Sequence, residues 1–432
     1  MATEIELKLY CAPDDIGRVG IHPLIAAGVE TGPAKRLENT YYDTPDLALH
    51  QARIALRVRK TPTELLQTVK CAAKSVAGLS ARPEWETPYT GAFDFSAVDA
   101  RKVRAFLDER QASLVPVFTT SFERRTWRID ISRKIALWVM VDTGYVSSGD
   151  RVFPISEVEL ELVQGNPEDL LDFASALATH LPLVPHDVSK AERGYQLFLQ
   201  QASCPQKALP SPLNVKHSAA EAFRILASQG MQTWQANLMG TLTAQDEEFV
   251  HQFRVSLRRL NSLLKVFKPA LPGRFQGRWT KRVKALSQIT GDVRDLDVMR
   301  AGILEPMLQS ADLSVRQPAE AAVAALDQAR REAGGQVQQL RYGGPVLLFA
   351  RDLHDLDTDD FPKNLPRFAE KQLAGLHRRA VKRLAGTLKA PTLLIDYPGQ
   401  DGEWRRTGYL ESKRLASALR QAPDAGELAL RW

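Results

Sequence analysis

The sequence predicts an α+β chain in two parts, an antiparallel β tunnel or barrel followed by an all-α helical bundle. Three observations predict it. Charged and apolar residues alternate with period two in several short segments of the first half. After about residue 214 strand signals nearly vanish, and apolar residues recur at three- and four-residue steps. Between the two regimes lies "QASCPQKALPSPLN", rich in Pro, Ser and Ala and without periodicity. With 432 residues the chain exceeds one ordinary core, since cores stop growing at roughly 250–300 residues. The expected layout is a first domain at 1–200, a linker at 201–213 and a second domain at 214–432.

In the first half, strands are expected at Ile5–Tyr10, Ile54–Arg59, Leu65–Cys71, Glu84–Tyr89, Phe118–Asp130, Lys134–Asp142 and Ser156–Val163, with helices at Ala97–Glu109 and Pro167–His180. In "EIELKL", Glu4, Glu6 and Lys8 share one strand face while Ile5, Leu7 and Leu9 share the other. The pattern repeats with Arg57 and Arg59 in "ALRVRK", with Arg82, Glu84 and Glu86 in "ARPEWE", and with Glu157, Glu159 and Glu161 in "SEVELELV". Thr68 and Lys70 in "QTVK" and Arg124 in "SFERRTW" add polar positions of the same kind.

One such strand would ordinarily turn its charges to water. A closed sheet with helices on its outside instead turns the apolar faces outward and the charged faces into a lumen. Carboxylates at two-residue spacing on neighbouring strands can jointly hold a hard cation such as Mg²⁺ or Mn²⁺. Arginine and lysine on the facing wall suit phosphate oxygens. Acid and base in one lumen therefore read as a metal-dependent phosphate site.

Composition narrows the class. Hydrophobic residues make up 44% and charged residues 25%, and apolar stretches such as Ile135–Val141 are far short of a membrane span. The opening residues lack a signal-peptide pattern, so a cytoplasmic location without a membrane partner is expected. Cys11, Cys71 and Cys204 are an odd set with no close pair, which argues against disulfides and zinc. Residues 1–213 carry 24 Lys+Arg against 27 Asp+Glu, and residues 214–432 carry 33 against 24. The basic surplus of the second half calls for a polyanionic partner.

The residues of the first half resemble a known family. "EIELK" is similar to the ExExK signature of the CYTH superfamily, the triphosphate tunnel metalloenzymes. The likeness continues through "NTYYDTPDLALHQARIALRVR", "QTVK", "RPEWE", "VDTG", "SEVELELVQG" and "SKAERGYQL". It implies a β tunnel that hydrolyses inorganic tripolyphosphate with Mg²⁺ or Mn²⁺. Glu4, Glu6, Glu157, Glu159 and Glu161 would hold metal, and Lys8, Arg57, Arg59, Lys70, Arg82, Arg124, Lys190 and Arg193 would line the substrate path. Glu4, Glu6, Lys8, Lys70 and Glu159 form the implied catalytic set, with Glu159 able to activate water. One departure stands out: Trp138 occupies a position where related sequences commonly place an acid.

In the second half, helices are expected at Ser218–Gly240, Asp246–Lys268, Trp279–Thr290 and Ala319–Ala333. Within "VHQFRVSLRRLNSLLKVFK", Val250, Phe253, Leu257, Leu260, Leu264 and Phe267 form a core stripe. Beside it His251, Arg254, Arg258, Asn261, Lys265 and Lys268 form a basic one. "HQFRVSLRRL" followed by "ITGDVRDLDVM" resembles the CHAD domain, a helical bundle associated with inorganic polyphosphate. The contacts to long-chain polyphosphate would come from His251, Arg254, Arg258, Arg259, Lys265, Lys281, Arg294, Arg378, Arg379, Lys382 and Arg383, with Lys413 and Arg414 in a final segment that lacks the family's second histidine. Asp292 is expected to cap its helix and Asp295 to pair with arginines.

Three rivals follow from the same residues: a tunnel acting on thiamine or nucleoside triphosphates, a non-catalytic polyphosphate receptor, and a nucleic-acid-binding second half. The absence of interleaved aromatics disfavours the last.

Overall fold

The computed structural model describes residues 2–61, 63–71, 75–243, 246–387, 395–398 and 404–407. Met1–Leu213 with Glu221–Phe361 make one compact unit, and Asn214–Ala220 with Pro362–Trp432 make a second. The first unit begins with strands β1 (Ala2–Cys11), β2 (Lys35–Asp43), β3 (Ile54–Lys60), β4 (Leu65–Cys71), β5 (Leu79–Pro88), β6 (Val115–Ser132), β7 (Ile135–Ser148) and β8 (Arg151–Gln164). They pair antiparallel in the order β1–β8–β7–β6–β2–β3–β4–β5, and β5 pairs back onto β1, with Glu4 opposite Arg82. The sheet is therefore a closed eight-stranded barrel.

Closure gives every strand an inside and an outside, and the alternation assigns them. Leu7 and Leu9 are fully buried on the outer face of β1, while Glu6 and Lys8 are buried on the inner one. Helix α1 (Arg101–Arg110) contributes Leu107 to an outer cluster with Leu49, Ile54, Leu56, Val69, Trp85, Phe95 and Val98. Helix α2 (Pro167–His180), started by an Asn166–Asp169 capping box and Pro167, packs across β1 and β8.

Helix α3 (Lys190–Phe198) does something different, because it packs inside the barrel as a plug against β6, β7 and β8. Its Tyr195 packs with Leu37, Tyr41, Phe118, Phe122, Val146 and Ile155, all on the inner face. The approach is tight enough that a Cβ at Gly194 would overlap the Phe118 ring. Asp43 anchors the plug by accepting from Tyr195 Oη at 2.8 Å and from the Leu49 and His50 amides at 2.8 and 2.9 Å.

Residues 201–214 carry no helix or strand, yet Asn237 fixes Gln206 through bonds of 2.9 and 2.8 Å. The helices that follow are α4 (Ala219–Thr243), α5 (Glu247–Val266), α6 (Gly273–Ile289), α7 (Gly291–Met299), α8 (Leu313–Val337) and α9 (Gly344–His354). Trp234, Phe253, Trp279 and Phe349 meet in their core. Helix α9 packs on α2, where Arg351 pairs with Asp172 at 2.9 Å. In the second unit, α10 (Leu365–Thr387) precedes two paired strands, Ile395–Pro398 and Trp404–Thr407. No helix among the described residues is long and apolar enough to cross a membrane.

Candidate active site

The barrel encloses a cavity of about 1050 Å³. Glu4, Glu6, Lys8, Arg57, Arg59, Lys70, Arg82, Arg124, Glu159 and Glu161 from the strands, and Lys190 from the plug helix, all stand on its wall. Two expected residues do not. Glu157 and Arg193 are buried behind the wall and bonded to each other.

The wall is a set of ion pairs. Near the plug, Lys190 Nζ bonds Asp142 at 2.6 Å, Glu159 at 3.0 Å and Glu157. Arg124 grips both oxygens of Asp142 at 2.7 and 2.6 Å and Glu159 at 2.5 Å. Further along, Lys8 bonds Glu6 at 2.5 Å, and Arg82 bonds Glu6 and reaches Glu4 at 3.5 Å. Lys70 bridges Glu4 at 2.8 Å and Glu84 at 2.6 Å. Arg57 lies 3.9 Å from Glu84, and Arg59 lies 3.6 Å from Glu86 and donates to Asn39 at 3.2 Å.

These contacts govern protonation. Burial resists the charge on Glu159, but Lys190, Arg124 and Lys8 outweigh it and hold the carboxyl well below the usual range. Burial likewise opposes ionisation of Glu157 and Glu6, and is overcome by Lys190 with Arg193 in one case and by Lys8 with Arg82 in the other. Glu161 is the contrast. Its carboxylate has no ion-pair or hydrogen-bond partner among the described residues. Burial and the neighbouring Glu4 push it up to about 7. Arg59 is pulled down to about 10, first by Arg57 and then by burial.

Asp142 is the residue that sequence reasoning passed over. Asp142, Glu157 and Glu159 offer oxygens within 4.8 Å of one another, a spacing that suits a cation, but the Lys190 ammonium already bonds all three. Electrostatically this cluster is filled by lysine. Glu161 stands near Glu4 and Glu6, which are paired with Lys70, Arg82 and Lys8, whereas no cation bonds Glu161 among the described residues. Trp138 lies opposite Glu161 in register and carries the Arg128 guanidinium 5.1 Å from its ring centre. It does not line the cavity.

Comparison with known proteins fits this geometry. Residues 2–195 match the CYTH domain family model, and residues 226–422 match the CHAD domain model. The chain is a CYTH–CHAD protein. An inorganic triphosphatase from Haemophilus influenzae is 35% identical over 204 residues, covering 46% of this chain and 56% of that protein, so the match spans about half of the relative's length. Among solved structures, an adenylyl cyclase candidate from Hippeastrum, described as having a dominant triphosphatase activity, is 18% identical, with a TM-score of 0.33 over 47% of this chain and 98% of that one. The CHAD domain from the plant Ricinus communis is 23% identical, with a TM-score of 0.35 over 43% and 62%.

In the CHAD domain the basic residues divide by environment. Arg258, Arg259, Lys265 and Lys281 are exposed, and His251 and Arg294 are half-buried on the first unit. Arg254 is committed elsewhere: it donates to the Ser287 carbonyl at 2.6 Å and to Thr290 at 3.2 Å, tying α5 to the end of α6. Arg378, Arg379 and Lys382 are exposed on α10. Arg383 lies on the same helix without a described side chain, and Lys413 and Arg414 lie outside the described residues. The Asp292 expectation is corrected, because Thr290 is the N-cap of α7 and Asp292 sits in its first turn. Asp297, rather than Asp295, pairs with an arginine, Arg330, at 2.6 Å.

Proposed function

We propose that the CYTH tunnel hydrolyses a short linear triphosphate, inorganic tripolyphosphate foremost, with a divalent cation of the Mg²⁺ or Mn²⁺ type, and that the CHAD bundle binds longer polyphosphate. The carrying observation is that carboxylates and cations from six barrel strands and the plug helix meet in one cavity. A surface salt-bridge network would neither be enclosed nor leave Glu161 unpaired. The match to an inorganic triphosphatase supports the substrate class.

The residues present fit a cation. Glu4, Glu6 and Glu161 would hold it, with Glu159 beside them, because the Glu161 carboxylate has no ion-pair partner among the described residues and stands near two others. When bound there, a divalent cation supplies positive charge against phosphate oxygens and lowers the pKa of a water it holds towards neutrality. The chain's own cations do the positioning. Lys8, Lys70, Arg82, Arg57 and Arg59 exchange their carboxylates for phosphate oxygens, which neutralises the substrate and holds it in line for attack. A water oxygen then bonds the terminal phosphorus while the bridging P–O bond breaks, the leaving diphosphate takes the electron pair, and the water's protons pass to the phosphate products and solvent. Glu159, kept ionised by Lys190 and Arg124, is a weak base and acts by orienting water.

The test is phosphate release by the full-length protein from tripolyphosphate, ATP and thiamine triphosphate, each with Mg²⁺, Mn²⁺ or chelator. Chelator-sensitive turnover, fastest on tripolyphosphate, is the expected result. No turnover with retained polyphosphate binding would make the tunnel a receptor.

A further inference from the structure

Part of the cavity wall belongs to the bundle. Gln232 and Ala236 of α4 line the same cavity as Lys8 and Lys190. The contact is built rather than incidental. Buried Gln235, next to them on α4, accepts from the Ala77 amide at 3.0 Å. Ala77 and Gly78 hold φ values of 55° and 81° in the turn that leads into β5. Gly78 donates to Asp187 at 2.9 Å and its carbonyl accepts from the Lys8 amide at 2.9 Å. The helix is thereby joined to the strand that carries the catalytic face.

Arg53 lines this cavity as well, immediately before β3. Every other lysine or arginine on the wall bonds a carboxylate. The Arg53 guanidinium has no ion-pair or hydrogen-bond partner among the described residues, although its side chain is exposed to the cavity. Its φ of 57° is a conformation that arginine adopts at a cost. At the rise of an extended strand it stands roughly 13 Å from Arg57, at the end opposite Arg59. A single uncompensated cation thus sits beyond a wall of matched charges.

We propose that Arg53 and Gln232 form an outer phosphate subsite, which receives units of a linear polyphosphate beyond those held by the paired charges. The guanidinium fork bonds phosphate oxygens and the Gln232 amide donates from the α4 part of the same cavity wall, so the bundle helix takes part in chain-length selection. The proposal rests on the triphosphatase reading and adds a length preference to it.

The experiment compares tripolyphosphate and tetrapolyphosphate on the full chain. Dissociation constants are read by calorimetry in chelator, and inhibition constants under turnover. Arg53→Gly suits the left-handed backbone and keeps the fold, which a melting curve verifies. The tetra-to-tri affinity ratio should fall about tenfold in Arg53→Gly and in Gln232→Glu, and recover partly in Arg53→Lys. An unchanged ratio in both variants, with both phosphates still bound, overturns the subsite and leaves the triphosphatase reading standing. Wild-type protein that binds both but hydrolyses neither sinks the triphosphatase reading, while the ratio still decides the subsite. Binding of neither phosphate removes both.

Discussion

The tunnel and the bundle both present lysine and arginine, but they hold them oppositely. In the tunnel nearly every cation is buried and bonded to a carboxylate. On α5 and α10 Arg258, Arg259, Lys265, Arg378, Arg379 and Lys382 are exposed. A matched, buried charge is stable without ligand and yields only to a partner that satisfies it equally well, which favours selectivity. An exposed, unmatched charge attracts any polyanion, weakly per residue and strongly screened by salt.

The sharpest way to break this contrast is Lys190→Met, which leaves Asp142, Glu157 and Glu159 buried with one cation fewer. We expect a loss of about 3–5 kcal/mol in denaturant unfolding, whereas Lys265→Met on α5 should change stability negligibly. Next in size, Glu4→Gln with Glu6→Gln should lower tripolyphosphate turnover by at least about a hundredfold, as removal of transition-state electrostatics typically does. Activity within a few-fold of wild type would show that the cation is held elsewhere.

Glu161 gives a smaller, pH-dependent effect. Its carboxyl is neutral below about 7, so cation binding must displace a proton there, and affinity should weaken by up to about tenfold per pH unit as pH falls below that value. The same raised value costs the metal-free fold stability as pH rises from the ordinary carboxyl range through 7. Glu161→Gln should therefore melt higher than wild type at pH 8 in chelator, yet bind Mn²⁺ more weakly. A lower melting point would mean that the carboxylate has found a partner.

The smallest effects belong to the bundle. Arg258→Ala, Arg259→Ala and Lys281→Ala should each weaken long-chain polyphosphate binding by roughly two- to fivefold, and the losses should fade as salt is raised. Arg254→Ala should instead lower the melting temperature more than its neighbours do, because its guanidinium ties α5 to α6.

The period-two alternation carried most of the barrel. Wherever one face was charged and the other apolar, as in β1, β3, β5 and β8, strand and facing were legible. β2 was not, since Leu37, Asn39 and Tyr41 inside and Glu38, Thr40 and Tyr42 outside mix polar and apolar residues on both faces. Asp142 was hidden for a related reason: its face-mates Met140 and Gly144 are uncharged, so no alternating run marked it. Glu157 was legible as inward-facing, and Arg193 only through the family resemblance, but neither as lying behind the wall, because depth depends on how the plug helix packs. The basic stripe of α5 was visible as a stripe. That Arg254 would be spent on a helix end needed the partner's position.

Closure of the barrel also has a timing. Glu6 of β1 lies opposite Glu161 of β8, so one edge of β1 waits for a partner over 150 residues later, roughly 8–30 s at ordinary rates of synthesis. During that interval β1 is an open edge, the kind of surface on which chains aggregate. Alternating glutamate and lysine are what keep such an edge in solution. The charges proposed to hold phosphate would, until the ring closes, protect the nascent chain.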